Sequence, residues 1–339
     1  MSAVTSGLVC GHHHLYSALA RGMPAPPRQP ASFREILEYV WWRLDVELDE
    51  EMIRWAAMLG ATEALMCGTT AIVDHHESPS CVEGSLSLIA EACAEVGVRT
   101  NLCYGVTDRH GPDGARRGLA ENERFLRAGG RGMVGVHAAF TCGDDTLHAA
   151  AGLARDLGVG VHLHVAEGLD DAEAGGRLEG LASEDWWLVH CVLLDRELPG
   201  TIAHNPRSNM NNSVGYAAPT SRPNPIVIGT DGIGADMLEE ARLAYVRLRE
   251  HDVMASPDTV WGWLDNGYSL FPEARDDRVT WNYDHADSPW HVAFTPGVRA
   301  LEVEVDGEVL LRDGLPTRVD VAEVRAKAAE QAQRLFAHL

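Results

Sequence analysis

Lysine is almost absent from this chain of 339 residues: only Lys327 occurs, close to the C-terminal end. A hydrolytic centre in which a carbamylated lysine bridges two metal ions has no residue to build it, so any such centre is expected to be mononuclear. The seven cysteines include no C-x-x-C pair, which indicates neither a disulfide framework nor a zinc ribbon. They read as small core residues of a reducing compartment. No apolar run reaches the roughly 18 residues of a membrane span, and the N-terminal residues lack the charged-then-apolar order of a secretion signal. These absences predict a soluble, cytoplasmic protein without a membrane partner. The formal net charge of -22 opposes binding to a phosphate backbone and excludes nucleic acid as the expected partner. Internal repeats and low-complexity segments are also missing.

What is present is a rhythm of short apolar runs alternating with longer helical patterns, the βαβ signature of a mostly parallel sheet. Strands are predicted over 8–14, 69–75, 99–106, 132–138, 159–165, 186–191, 201–204 and 226–231. Helical windows between them cover 32–43 with 49–67, then 84–96, 119–127, 146–157, 170–178, a very short one at 195–198 and an irregular one at 208–214. Eight such strands predict an α/β fold of the (β/α)8 TIM-like barrel kind, with the candidate chemistry at the C-terminal strand ends. Helices follow at 237–251 and 256–268. From 278 to 312 the pattern turns to strands with a hairpin at Asp306-Gly307, and 321–339 is an amphipathic helix. The expected division is a hydrolase barrel over 1–270 and a small β element with the C-terminal helix over 271–339.

Four islands at predicted strand ends carry the candidate chemistry. In Gly11-His12-His13-His14, residues two apart share a strand face, so His12 and His14 can grip one ion while His13 points away. His162-Leu163-His164-Val165-Ala166-Glu167 adds an imidazole with a carboxylate three residues on. His190-Cys191 and Gly229-Thr230-Asp231-Gly232 complete the set. Imidazoles plus carboxylate suit a single divalent ion, zinc or iron, that lowers the pKa of a water from 15.7 towards roughly 7. We therefore expect His12, His14, His164 and Asp231 to be metal ligands. Asp231 is also expected to receive the water proton, Glu167 to carry a proton to substrate, and His190 to orient the water or polarise the scissile bond. Among the remaining residues, Tyr16, His76, Asp108 and His137 are expected to contact substrate. His162 reads as a packed, hydrogen-bonded histidine one layer below His164, and His204 as a loop organiser. Trp41-Trp42 reads as packing or as the wall of a pocket for a flat substrate.

These residues resemble the amidohydrolase superfamily, in its mononuclear aminohydrolase branch of cytosine and guanine deaminases and triazine hydrolases. The similarity rests on His12-x-His14-Leu15-Tyr16-Ser17, Gly68-Thr69-Thr70, His164-x-x-Glu167, His190-Cys191, His204-Asn205-Pro206-x-Ser208-Asn209 and Gly229-Thr230-Asp231-Gly232. Asp74-His75-His76-Glu77-Ser78-Pro79, Trp41-Trp42-Arg43-Leu44-Asp45 and Thr107-Asp108-Arg109 are similar to SsnA-like aminohydrolases. The resemblance implies a metal-dependent barrel hydrolase acting on C–N bonds of a small molecule. Two departures stand out. The β-sandwich that flanks the barrel in such proteins is expected to be vestigial, reduced to the 303–312 hairpin, with a second subunit covering the face it leaves in a homodimer. Gly105 stands where an acidic residue is expected, which implies a lost carboxylate at the barrel mouth and an altered substrate.

The expected activity is hydrolytic deamination of an amino-substituted, heterocyclic small molecule by water activated on the metal. Hydrolysis of a cyclic amide, or displacement of another leaving group on the same machinery, is the alternative. A non-catalytic, metal-binding scaffold barrel is the reading from another class.

Overall fold

The computed structural model describes residues 2–339. β1 (Val4–Thr5) precedes eight parallel strands: β2 (Leu8–His13), β3 (Thr69–His76), β4 (Arg99–Tyr104), β5 (Val134–Ala138), β6 (Val161–Val165), β7 (Trp187–His190), β8 (Thr201–His204) and β9 (Ile226–Ile228). They pair in chain order as β2-β3-β4 and β5-β6-β7-β8-β9. Bridges Leu102–Gly132 and Val106–Val136 join the two sets. At the other seam the amides of Thr230 and Asp231 donate to the His12 carbonyl at 3.0 and 3.1 Å. That seam needs glycine on both sides: a Cβ on Gly229 would lie 2.7 Å from the His12 carbonyl oxygen, and one on Gly11 2.9 Å from that of Ile228. The eight expected strands are all present, as a TIM-like ring.

Side-chain alternation sorts each strand between two cores. Ile72, Leu102, Val134, Leu163, Leu188 and Ile202 face the surrounding helices. Val9, Ala71, Val73, Trp187, Val189, Ala203 and Val227 fill the lower barrel, sealed from below by Tyr268, Phe271 and Ala274. The Tyr268 hydroxyl donates to the Gly7 carbonyl at 3.0 Å, fixing this plug at the N-terminal ends of the strands. Dry packing below leaves the histidines of the upper layer as the polar end of the barrel.

The helical windows differ from expectation in three places. The helix after β4 runs over Gly111–Arg127, two turns longer than its apolar pattern, because Pro112 in the first turn and exposed polar residues extend it. Residues 195–198 form no helix, and β7 passes to β8 by an irregular link. Conversely, the 208–214 window contains a true helix, Pro206–Asn211, opened by proline.

The small sheet is larger than a single hairpin. β10 (Arg278–Trp281), β11 (Ala300–Val305), β12 (Glu308–Arg312) and β13 (Leu315–Pro316) form an antiparallel sheet of order β1-β10-β11-β12-β13. Asp306 (φ 52°) and Gly307 (φ 80°) make the predicted turn. Arg99 of β4 ties this sheet to the barrel through two bonds to Asp277, 2.6 and 3.0 Å, and one to Asp306, 2.8 Å. Among the described residues no helix is long and apolar enough to cross a membrane.

Candidate metal centre and substrate cavity

The register of β2 shifts between Cys10 and His13, which turns the His12 ring inward, and His14 follows in extended backbone, so both rings enter the barrel mouth. His13 points the other way and its Nδ1 meets Thr230 Oγ1 at 2.5 Å. His14 Nδ1 donates to the His75 carbonyl and His164 Nδ1 to the His137 carbonyl, both at 2.6 Å. Since a carbonyl only accepts, each ring holds its proton on Nδ1 and turns the Nε2 lone pair inward. These two Nε2 atoms lie 3.2 Å apart. Asp231 Oδ1 is 3.3 Å from His14 Nε2 and 2.9 Å from His12 Nε2. Imidazole nitrogens and a carboxylate oxygen converging at such distances form a donor set that suits a divalent ion such as zinc.

Three of the four expected ligands gather with His190, while His14 falls in a second group with His75 and His164. Donor atoms of His12, His164, His190 and Asp231 lie within 4.8 Å of one another. On β7 residues 187 and 189 face the barrel interior, so regular alternation would send His190 outward. Its φ of +69° turns the chain and aims the ring into the mouth. Asp231 (φ +62°) and Ala166 (φ +48°), which precedes Glu167, sit in the same left-handed region. Burial pushes His12 down to about 3. Burial alone would raise Asp231, but the rings of His190, His12 and His14 outweigh it and hold the carboxyl well below its usual range.

The helix Pro206–Asn211 and the residue after it organise this mouth. Asn209 Oδ1 accepts from His190 Nδ1 at 2.8 Å, Ser208 Oγ donates to Asp231 Oδ2, and Asn212 Nδ2 donates to Glu167 Oε1 at 3.5 Å. His190 Nε2 is left without a hydrogen-bond partner among the described residues, 3.4 Å from Glu167 Oε2 and 3.8 Å from Asp231 Oδ1. Glu167 is pushed well above its usual range by burial and then by the nearby Asp231 charge. Of these helix residues the sequence supplied only the motif Ser208-Asn209, and six residues are too few for a helical period to be visible.

Above the donors lies a cavity with an aromatic side built from Phe33, Trp41, Trp42 and Phe140. A widened π-type turn at Leu37–Trp41 inserts into the helical segment before Glu47, and from here Trp41, Trp42 and Asp45 reach the cavity. Of the four residues expected to contact substrate, Tyr16 and His137 line it. His76 and Asp108 do not. His76 is fully buried, with Nε2 bonded to Ser78 Oγ at 2.9 Å. Asp108 instead accepts from the Gly143 amide at 2.6 Å and from Thr146 Oγ1 at 2.9 Å, holding the start of the helix Asp144–Leu157. The cavity wall also carries Glu77 and Asp45, which sequence reasoning missed as site residues. Arg109 bonds Glu77 Oε2 and lies 3.8 Å from Asp45 Oδ2, while Glu77 Oε1 is 3.7 Å from His137 Nε2. Burial pushes both carboxyls up against the pull of this one arginine, Asp45 well above its usual range.

Comparison with known proteins agrees with this geometry. Residues 3–260 match the model of the amidohydrolase family. The 5'-deoxyadenosine deaminase of Methanopyrus kandleri is 29% identical, over 98% of this chain and 86% of its own. The 5-methylthioadenosine/S-adenosylhomocysteine deaminase of Desulfitobacterium hafniense is also 29% identical, over 97% and 85%. Among solved structures, a zinc-bound adenosine deaminase from Xanthomonas campestris superposes with a TM-score of 0.82 at 19% identity, covering 99% of this chain and 86% of that one. An atrazine chlorohydrolase variant from Arthrobacter aurescens with zinc and atraton gives 0.84 at 20%, covering 97% and 88%. By its matched residues, its strand-end donor set and its barrel, the chain belongs to the amidohydrolase family.

Proposed function

We propose that the protein is a zinc-dependent hydrolytic deaminase of amino-substituted purine nucleosides or close relatives of them, with His12, His14, His164 and Asp231 holding one ion. The observation that carries this reading is the convergence of imidazole lone pairs and the Asp231 carboxylate beneath an aromatic-walled cavity, with Glu167 beside them. The curated relatives, named as deaminases of adenine nucleosides, supply the substrate class. When bound, the ion supplies Lewis acidity that acidifies a water.

The chain's own groups do the rest. His190 donates through Nδ1 to Asn209, so its Nε2 accepts from the attacking water and orients it, rather than polarising the scissile bond. Asp231 receives the water's proton, while Ser208 holds Oδ2 in place. Glu167, kept protonated at rest by burial, gives its proton to a ring nitrogen and afterwards relays one to the departing amine. One water is consumed, a C–O bond replaces the C–NH2 bond, and ammonia leaves. Trp41, Trp42, Phe33 and Phe140 offer flat faces to the heterocycle, and the Asp45 and Glu77 carboxylates face donor groups of the rest of the substrate. The reading also takes the chain as a barrel over 1–270 with an appended element over 271–339, and as a cytoplasmic homodimer that covers the exposed Trp290 and Phe294.

The test is ammonia release by zinc-loaded protein from adenosine, 5'-deoxyadenosine and their 5'-thio derivatives, beside the Glu167→Gln variant. Turnover of at least one of them, falling about 10²- to 10⁴-fold in the variant, is expected. Turnover of none, or equal turnover in both proteins, overturns the reading.

A further inference from the structure

Below the donor layer, a chain of hydrogen bonds leads away from His12. His12 Nδ1 lies 2.9 Å from His162 Nε2, and His162 Nδ1 lies 3.3 Å from Cys103 Sγ. Cys103 Sγ in turn donates to the Asp74 carbonyl at 3.7 Å. All four residues are fully buried, so water cannot substitute for any link. Each ring nitrogen in the chain can either donate or accept, and pairwise distances alone do not set the direction. The far end does. The thiol has one proton; given to the Asp74 carbonyl, which can only accept, it leaves the sulfur as an acceptor. His162 then carries its proton on Nδ1 and accepts at Nε2, which obliges His12 to carry its own proton on Nδ1. The Nε2 lone pair of His12 is thereby committed to the barrel mouth, where Asp231 Oδ1 stands 2.9 Å away.

Glycine at 135 leaves the sulfur its place, since an added Cβ there would come within 2.9 Å of Sγ. Burial also pushes the Cys103 thiol well above its usual range, so it keeps the proton that the carbonyl accepts. His14 and His164 have their tautomers set by backbone carbonyls, which cannot be mutated away. His12 alone among the proposed imidazole ligands depends on side chains for the same service.

We infer that His162 and Cys103 are positioning residues that lock His12 in the Nδ1-protonated tautomer and so prepare its Nε2 to hold the metal. The inference rests on the reading of His12 as a ligand. Removing the lock lets His12 adopt the opposite tautomer, donating from Nε2 to Asp231, and that form must be undone before an ion can bind. Outer partners of ligating histidines change metal affinity by roughly 10- to 100-fold when removed.

The experiment measures zinc transfer from the loaded full-length protein to a chelator with a colour readout, for five proteins in parallel. His162→Leu and Cys103→Val are expected to lose zinc at least about tenfold faster than the parent. Cys103→Ser, whose hydroxyl both accepts and donates, is expected to stay within about threefold. Histidine-selective ¹⁵N spectra of the folded apoproteins should show the ring tautomers of His12 and His162 changing together in Cys103→Val but not in Cys103→Ser. The fifth protein, His12→Ala, separates the two ideas. If it keeps zinc as the parent does, the ligand reading itself fails. If it loses zinc while Cys103→Val and His162→Leu, folded by circular dichroism, keep it, the lock is overturned and the ligand reading stands. Equal loss from Cys103→Val and Cys103→Ser also overturns it, since packing rather than hydrogen bonding would then be at work.

Discussion

Arg207 fastens the loop that carries Asp231, and its removal should cost stability in a way that depends on pH. Nη2 donates to the carbonyls of Thr230 and Gly232, both at 2.7 Å, on either side of Asp231, and Nε donates to Glu240 Oε1 at 2.7 Å. Glu240 is buried, its Oε2 has no partner among the described residues, and burial pushes its carboxyl up to about 7 against the pull of Arg207. Arg207→Met keeps the apolar stem but leaves Glu240 without a counter-charge. Breaking a fully buried pair costs about 3–5 kcal/mol. The arginine side chain is 34% exposed, and solvent screening lowers the expectation to about 2–3 kcal/mol near pH 8.5. The folded-state value of Glu240 stands above its ordinary 4.5, so its favourable contribution is complete below about 4.5 and is lost as pH rises through about 7. Without Arg207 the folded value climbs further and the loss continues to higher pH, whereas below pH 5 the group is neutral in both proteins. Urea unfolding should therefore show a gap of about 1 kcal/mol at pH 5, from the lost carbonyl bonds, widening to about 2–3 kcal/mol at pH 8.5. Adding Glu240→Gln to the variant should recover the pH-dependent part. An equal gap at both pH values, or no recovery, refutes this account.

Three further outcomes follow from the cavity and the seam. Trp42→Ala, which removes an aromatic face of the cavity that Arg109 covers from 4.3 Å, should raise KM about tenfold with kcat little changed, as read from initial rates. Gly229→Ala should destabilise the protein by about 1–3 kcal/mol in urea and lower zinc content, because the new methyl meets the His12 backbone. Glu77→Gln keeps the side-chain shape and frees Arg109 from its nearest carboxylate; zinc content should be unchanged while the KM ratio between a hydroxyl-bearing substrate and its deoxy analogue shifts.

The strand ends were readable because buried parallel strands are short apolar runs, and polar residues at their last inward positions interrupt an otherwise apolar series. His164 and Asp231 stand at such positions, whereas His12 reaches the mouth through a register shift in β2. His190 was readable only from its motif, since period-two alternation from Trp187 and Val189 would have turned it outward. What could not be read was the use to which a polar side chain is put once the chain folds. Asp108 lies shortly after a strand end, as Glu167 does, yet its oxygens are taken by the amide of Gly143 and the hydroxyl of Thr146. Ser208 and Asn209 sit in a helix too short for its period to register, Asn212 directly follows it, and their partners lie 19 to 45 positions away in sequence.

Gly105 shows how a position can mislead when space is ignored. An acidic residue was expected there, and glycine implied that the barrel mouth had lost a carboxylate. In β3 and β4, His76 stands opposite Tyr104, so the next pair in register is Glu77 with Gly105. A Cβ on Gly105 would come 2.9 Å from Glu77 Cγ, 3.0 Å from Oε1 and 2.4 Å from His75 Cε1. The space is taken by the glutamate arriving from the neighbouring strand. The mouth keeps its carboxylate, carried on β3's end rather than β4's, and its charge is met by Arg109 on one oxygen while the other faces His137. A residue at 105 that grew back a side chain would have to displace Glu77 or His75, so glycine here is a consequence of Glu77. Under the proposed function a substrate meets a carboxylate on a different stem, so a change in specificity would lie in its direction of approach rather than in its absence.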